Sequence, residues 1–441
     1  MVGYLQGMVY STMDRNRIIL LGVSVLAVSA LLILRDIFGL PINKFLFVGV
    51  VSLSCLMMNY SYIIAFFFFL MPILNGLPGN FILPTISIIL IMKKGSLMSI
   101  NAFMYFFLLL LFEIFHFPFY SFSINFPLTV GYLSAIFLLC YMVSANAVSI
   151  DYNRCLLFFC IGNAIFMLLI LGLSIKYGGS VASLIMEGNR IGETKELVHS
   201  LDGELMISAN PNGLGAYAIT GAAIIFILYK NQIINILTMS SFIILFLLVG
   251  TFSLSRTFFL CLAVFLILVI NTASIKVGHK NYAKMLFFVM SVGVLLYMIA
   301  NNELVYDAVY NRFMQDDVST ASGRTEIMEM YHDWLMQNPI YFFTGTGAIH
   351  YQEVVNLPSA CHNAMQQILV SYGIGGLFYF AIPVFSKVKF YYEKFKFVYL
   401  IPFIVVFISV QASRVLNPWN NLYLFFVAFY AMKSGQIYKK I

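Results

Sequence analysis

The chain has 441 residues, 61% of them hydrophobic and only 10% charged, with a mean hydropathy of +0.91 and a formal net charge of +7. A water-soluble domain needs roughly 25% charged residues to cover its surface, so a globular fold in water is excluded and a lipid bilayer is the expected surround. The positive charge is sorted along the chain rather than gathered in one basic patch, and nucleic acid is not an expected partner.

The first element follows Asp14-Arg15-Asn16-Arg17 and runs from Ile18 to Leu34. The order of charge then apolar run resembles a signal peptide, but Leu31-Leu32-Ile33-Leu34 continues past the small residues Ala27 and Ala30, so an uncleaved helix is predicted. A spanning helix needs about 20 apolar residues, and suitable runs follow at 42–59, 62–74, 81–92, 101–117, 127–148, 154–175, 213–229, 233–250, 257–272, 285–300, 364–385, 397–413 and 420–432. The expected fold is an all-α integral membrane protein with about 14 transmembrane helices. Its divisions are N-terminal helices over 1–175, a first outer loop over 176–211, central helices over 212–300, a large outer loop over 301–363 and C-terminal helices over 364–441. Five of the six cysteines lie inside apolar runs, where free Cys behaves as a small hydrophobe, and no disulfide framework is expected.

Alternating the spans from the N-terminus puts Arg15, Arg17, Lys93, Lys94, Arg154, Lys230, Lys276, Lys280, Lys284 and the lysines between Lys387 and Lys440 on one side. The bias of Lys and Arg toward cytoplasmic loops makes that side the cytoplasm, with both termini there. The two outer loops hold most of the acidic residues, among them Glu187, Glu193, Asp316, Asp317, Glu326 and Asp333. Arg190, Arg256, Arg312, Arg324 and Arg414 stand out against that background. A guanidinium fork suits bidentate recognition of phosphate better than an ammonium does. The asymmetry points to an anionic ligand at the outer face, or simply to charge that keeps the loops in water.

Four segments carry the candidate chemistry. Asn210-Pro211-Asn212-Gly213 reads as a turn and helix start, which leaves backbone N–H groups for an anion; an ordinary loop-to-helix turn reads the same way. Thr251 to Thr257 is a hydroxyl-rich break holding Ser255 and Arg256, and a charge at that depth is expected to be paired or functional. In the large loop, Ser322-Gly323-Arg324 opens an amphipathic helix with Ile327, Met330, Tyr331, Trp334 and Leu335 on one stripe, ended by Asn338-Pro339. Thr344-Gly345-Thr346-Gly347 then makes a tight turn where backbone can approach a ligand. Last, Cys361-His362-Asn363 lies at the membrane re-entry, ahead of Gln366, Gln367 and Gly373-Ile374-Gly375-Gly376. Glu113 and His116 have the i, i+3 spacing of di-iron ligands, but no second pair recurs, so a satisfied intramembrane pair or a short conduit is expected instead. Asp316-Asp317 reads as a solvated turn, and no metal site is expected.

In order and placement these segments resemble the bacterial O-antigen polymerase and ligase family. The features that carry the resemblance are the Arg190 loop leading to Asn210-Pro211-Asn212-Gly213-Leu214-Gly215, Ser255-Arg256, Ser322-Gly323-Arg324 with Trp334, Gly345-Thr346-Gly347, and His362-Asn363 ahead of Gly373 and Gly376. They cover about Arg190 to Gly376, and the first half of the chain matches only as a hydrophobic scaffold. The resemblance implies a GT-C-type bundle with two long periplasmic loops in the bacterial inner membrane. It implies a glycosyltransferase without metal or nucleotide cofactor, which uses undecaprenyl-pyrophosphate-linked oligosaccharides as donor and acceptor and inverts the anomeric carbon. Catalytic roles then fall to His362, Arg256 and Arg190, the arginines gripping the pyrophosphate and His362 acting as base or phosphate ligand. Substrate-binding roles fall to Arg324, Asn210, Asn212, Ser255, Asn363, Gly345 and Gly347. A chain-length regulator protein is an implied partner. A polymerase is favoured, with a ligase that transfers glycan to lipid A core as the alternative. A lipid-linked-oligosaccharide flippase is the rival from another class, against which stand the absence of an internal repeat and the placing of the polar groups at one face.

Overall fold

The computed structural model describes residues 2–93 (backbone only for 2–15), 99–144, 150–178, 191, 207–274, 324–361, 363–394, 397–411, 416 and 422–435, with isolated positions between 293 and 310. Among these residues the fold is entirely helical. In chain order the helices are α1 (Val2–Leu32), continued by a π-turn over Ile33–Ile37, α2 (Lys44–Met57), α3 (Tyr60–Leu70), α4 (Gly79–Met92), α5 (Ile100–His116), α6 (Phe126–Ser144) and α7 (Tyr152–Gly178). The second half has α8 (Pro211–Lys230), α9 (Ile236–Phe252), α10 (Arg256–Ser274), α11 (Arg324–Gln337), α12 (Pro339–Thr344), α13 (Tyr351–Val355), α14 (Ala364–Lys394), α15 (Ile401–Val410) and α16 (Leu422–Ser434). Among the described residues five helical stretches are long and apolar enough to cross a membrane, Asn16–Ile37, Ile100–Phe119, Tyr152–Tyr177, Pro211–Lys230 and Ala364–Phe390, and eight shorter apolar helices accompany them. The predicted span 285–300 lies outside the described residues except at Gly293 and Tyr297. The first helix starts much earlier than the predicted Ile18, because Val2 to Arg17 is already helical.

The bundle is built around α8. Pro211 and every residue from Gly213 to Leu228 are buried, as expected of a helix apolar on all sides. Its small residues let neighbours come close, which is how helices associate where water does not drive them together. Gly221 faces Asn163 and Phe246, and a methyl at Gly215 would lie 2.9 Å from Phe258 Cβ. α7, α9, α10, α15 and α16 surround it. On the other side of α7 lies α3, buried from Tyr62 to Leu70, and Gly162 of α7 rides directly on the Phe69 carbonyl. By contrast α5 is peripheral: Ile100, Phe103, Phe107, Leu111, Ile114 and Phe115 are exposed on its outer face, which suits contact with lipid.

Polar contacts at the helix ends sort those ends into two groups. At one end Asn231 donates to Asn153 Oδ1 (2.8 Å) and Ser434 Oγ (3.1 Å) and accepts from the Tyr399 hydroxyl (2.7 Å), joining α7, α8, α16 and the turn before α15. Lys93, also at a lysine-bearing end, donates to the carbonyls of Leu56 and Met58. At the other end the π-turn after α1 meets the segment before α8, and Ile191 meets the end of α9.

Candidate functional site

The hydroxyl-rich break and the Asn-Pro-Asn-Gly turn are brought together. α9 ends at Phe252, Leu254 turns the chain with a φ of 48°, and Ser255 opens α10. The Ser255 hydroxyl accepts from Phe258 N (3.4 Å) as an N-cap and donates to Asn212 Oδ1 (3.0 Å) in the first turn of α8. Asn210 caps α8 in turn, its side chain accepting from Gly213 N at 2.6 Å, with Pro211 at the first helical position. Both caps are residue types chosen for that task. Two helix N-termini therefore open side by side, with the partly exposed Arg256 at the first position of α10. Each N-terminus carries roughly half a positive charge, so helix dipoles and guanidinium add at one place.

Arg190 and His362 lie outside the described residues, and Arg324 is described only as the backbone start of α11. Their neighbours are placed. Ile191 is buried, and its N–H donates to Phe252 O at 3.4 Å, four residues before Arg256. Beside His362, Asn363 caps α14 by accepting from Gln366 N at 3.0 Å. Gln366 donates to Met328 O of α11 (2.8 Å), and Gln367 accepts from Leu416 N (3.1 Å). The amides after His362 thus fasten the head of α14 to α11 and to the segment after α15. The stripe on α11 is packing, with Tyr331 and Leu335 buried against Tyr351, Val355, Cys361 and Val370.

The glycine turn makes its close approach to the chain itself. α14 is broken at Gly373, with φ 66° and ψ −172°. The freed carbonyls of Val370 and Ser371 accept from Thr346 N (3.0 Å) and Gly347 N (2.9 Å). Gly345 (φ 68°) lies on the Ser371 carbonyl and Gly373 on the Phe343 carbonyl, so a side chain at either would collide with backbone. Broken helices of this kind need their freed backbone groups satisfied from within the protein. That demand accounts for both glycines.

The Arg35–Asp36 pair and His350 escaped the sequence reading. Arg35 and Asp36, in the π-turn after α1, form a two-bonded ion pair (2.5 and 3.0 Å) with Arg35 also donating to Gly76 O at 2.8 Å and lying over the Phe47 ring. Ile207 N donates to Asp36 Oδ2 (3.4 Å), and Asn75 donates to the Ser208 carbonyl. These contacts fix the return of the first loop three residues before Asn210. The signal was an adjacent opposite-charge pair at the end of an apolar run, which is costly there unless used. For Glu113 and His116 a satisfied intramembrane pair or a short conduit is the expectation; in the structure each reaches the large loop, Glu113 accepting from Ala348 N (2.9 Å) and His116 Nε2 meeting Gly345 O (3.2 Å). Beyond them His350 is buried between the rings of Tyr120 and Phe122. All six cysteines are free.

A comparison with curated proteins finds no match. Residues 239–381, about a third of the chain, match a family model described as O-Antigen ligase. That stretch runs from α9 through α10, the large loop and most of α14, and it holds Ser255, Arg256, Arg324, Gly345, Gly347, His362 and Asn363. The resemblance read from the residues is borne out over this stretch: residues 239–381 are similar to the O-antigen ligase family, whose members are glycosyl-transferring enzymes.

Proposed function

We propose that the protein is an inner-membrane polymerase that joins undecaprenyl-pyrophosphate-linked oligosaccharide repeats at the periplasmic face by metal-independent, inverting glycosyl transfer. The observation that carries this reading is the packing of the Ser255–Arg256 head of α10 against the Asn210–Asn212 head of α8. Cleaving a sugar–pyrophosphate bond builds negative charge on the leaving group. Donors and dipoles fixed in advance where that charge appears stabilise the transition state more than the ground state. Arg256 and Arg190 would grip the diphosphate, and the buried Ile191 next to Arg190 supports their nearness. His362 would take the proton of the attacking hydroxyl or hold a phosphate oxygen. Arg324, Asn210, Asn212, Ser255 and Asn363 would line the substrate, with Gly345 and Gly347 shaping the wall. A chain-length regulator would act on the growing product from outside the bundle.

The description of the matching family favours a second reading, a ligase that passes the finished glycan to lipid A core. One assay separates the two. Membranes holding the protein and supplied with lipid-linked repeat alone are expected to yield a ladder of lengthened glycans, whereas transfer only after lipid A core is added would move the assignment to ligase. Arg256→Lys keeps the charge and loses the fork. It is expected to cut ladder formation by about 100-fold at unchanged protein level, and an undiminished ladder would remove the diphosphate role.

A further inference from the structure

The matched stretch is held in place by a residue outside it. Glu113 stands on α5, in the half of the chain read as scaffold, and is 1% exposed. Its Oε1 accepts from Ala348 N at 2.9 Å, and its Oε2 is buried beside Gly347 without a hydrogen-bond partner among the described residues. Ala348 follows the glycine turn, so the carboxylate holds one side of that crossing, and the turn's own bonds to Val370 and Ser371 carry the hold to the break in α14. The neighbours of Glu113 repeat the pattern. His116 Nε2 meets Gly345 O, the Tyr120 hydroxyl donates to Thr346 O (2.9 Å), and the Tyr132 and Tyr372 hydroxyls meet at 3.1 Å. Gly347 has no room for a side chain, since a methyl there would come within 2.5 Å of the Tyr120 oxygen and 3.2 Å of Glu113 Oε2.

A buried carboxylate at the end of a spanning helix is costly and calls for a use. The turn it holds is bonded to Val370 and Ser371 in the first part of α14, and that part starts at Ala364, one residue after Asn363. We propose that Glu113 is a positioning residue for glycosyl transfer: it fixes the Gly345–Ala348 turn and, through it, the first part of α14, and so sets where Asn363 at the head of that helix meets the substrate. The inference rests on the transfer reading above. Glu113 acts here as a hydrogen-bond acceptor, so an amide in its place keeps the function and an aliphatic stub does not.

The test uses the full-length protein in proteoliposomes with lipid-linked repeat, comparing wild type with Glu113→Gln, Glu113→Ala and Tyr120→Phe. Glu113→Ala is expected to lower kcat by about tenfold or more with KM for the lipid-linked donor within about twofold, the mark of misplaced groups rather than lost binding. Glu113→Gln should stay within about threefold of wild type, and Tyr120→Phe should fall between, which keeps the proposal testable if Glu113→Ala does not accumulate. Hydrogen exchange gives a readout independent of turnover. The Thr346 and Gly347 amides should exchange faster in Glu113→Ala and at the wild-type rate in Glu113→Gln. Wild-type exchange in Glu113→Ala, full activity in that variant, or equal loss in the Gln variant would each overturn the proposal. A wild-type protein that transfers to neither acceptor would instead bring down the transfer reading, and the proposal with it.

Discussion

At the scale of single residues, the buried charges do structural work that hydropathy alone does not reveal. Arg35 and Asp36 are almost fully buried, at 5% and 0% exposed, and Asp36 satisfies the guanidinium twice. Removing one member of a buried pair leaves the other charge uncompensated, at a cost of about 3–5 kcal/mol. Asp36→Ala should therefore lower the thermal midpoint of the detergent-solubilised protein, and the Ile207–Ser208 segment should become accessible to protease before the bundle unfolds. An unchanged midpoint would mean that the pair is dispensable. The sequence made Ser255 and Asn210 legible as caps because their residue types, and the Pro and Gly beside them, are tied to local geometry. It did not reveal the Ser255–Asn212 bond or the Asp36–Ile207 bond. Both join residues far apart in the chain, 43 and 171 positions, and local pattern does not encode such meetings.

At the scale of elements, the helix crossings are set by small residues. Gly162 of α7 sits on the Phe69 carbonyl at the end of α3, leaving no space for even one methyl. Gly162→Ala must push the two helices apart in a core where every residue from Tyr62 to Leu70 is buried. Overpacking of this sort costs about 1–3 kcal/mol, so a lower unfolding midpoint is expected, and a variant as stable as wild type would show that the crossing has slack. The elements themselves were readable from apolar runs, since the spans predicted at 101–117, 213–229 and 233–250 overlie α5, α8 and α9. The amphipathic stripe of α11 was readable too, between Arg324 and Gln337. Less readable was the break of α14. Gly373 lies within an apolar stretch that predicts one continuous helix, and only the partner strand at Gly345 explains why the helix stops and resumes.

At the scale of the whole molecule, one end of the bundle carries Lys93, Lys230, Lys433 and the Asn231 junction, and the other carries the caps of α8 and α10, the glycine crossing and the Arg35–Asp36 pair. The first half of the chain is more than scaffold, because Asp36, Asn75, Glu113 and His116 all hold parts of that end contributed by the second half. The family resemblance was legible only as a set: no single segment carried it, and the order of five did. The central claim is that guanidiniums and an imidazole meet around a lipid-borne diphosphate where α8 and α10 begin. The most direct measurement is an experimental structure of the full-length protein in lipid with a non-hydrolysable polyprenyl diphosphate bound. The account predicts phosphate oxygens within hydrogen-bonding distance of Arg256, with Arg190 and His362 on the same group. A diphosphate seated elsewhere, with those three side chains around separate cavities or turned into lipid, would contradict it.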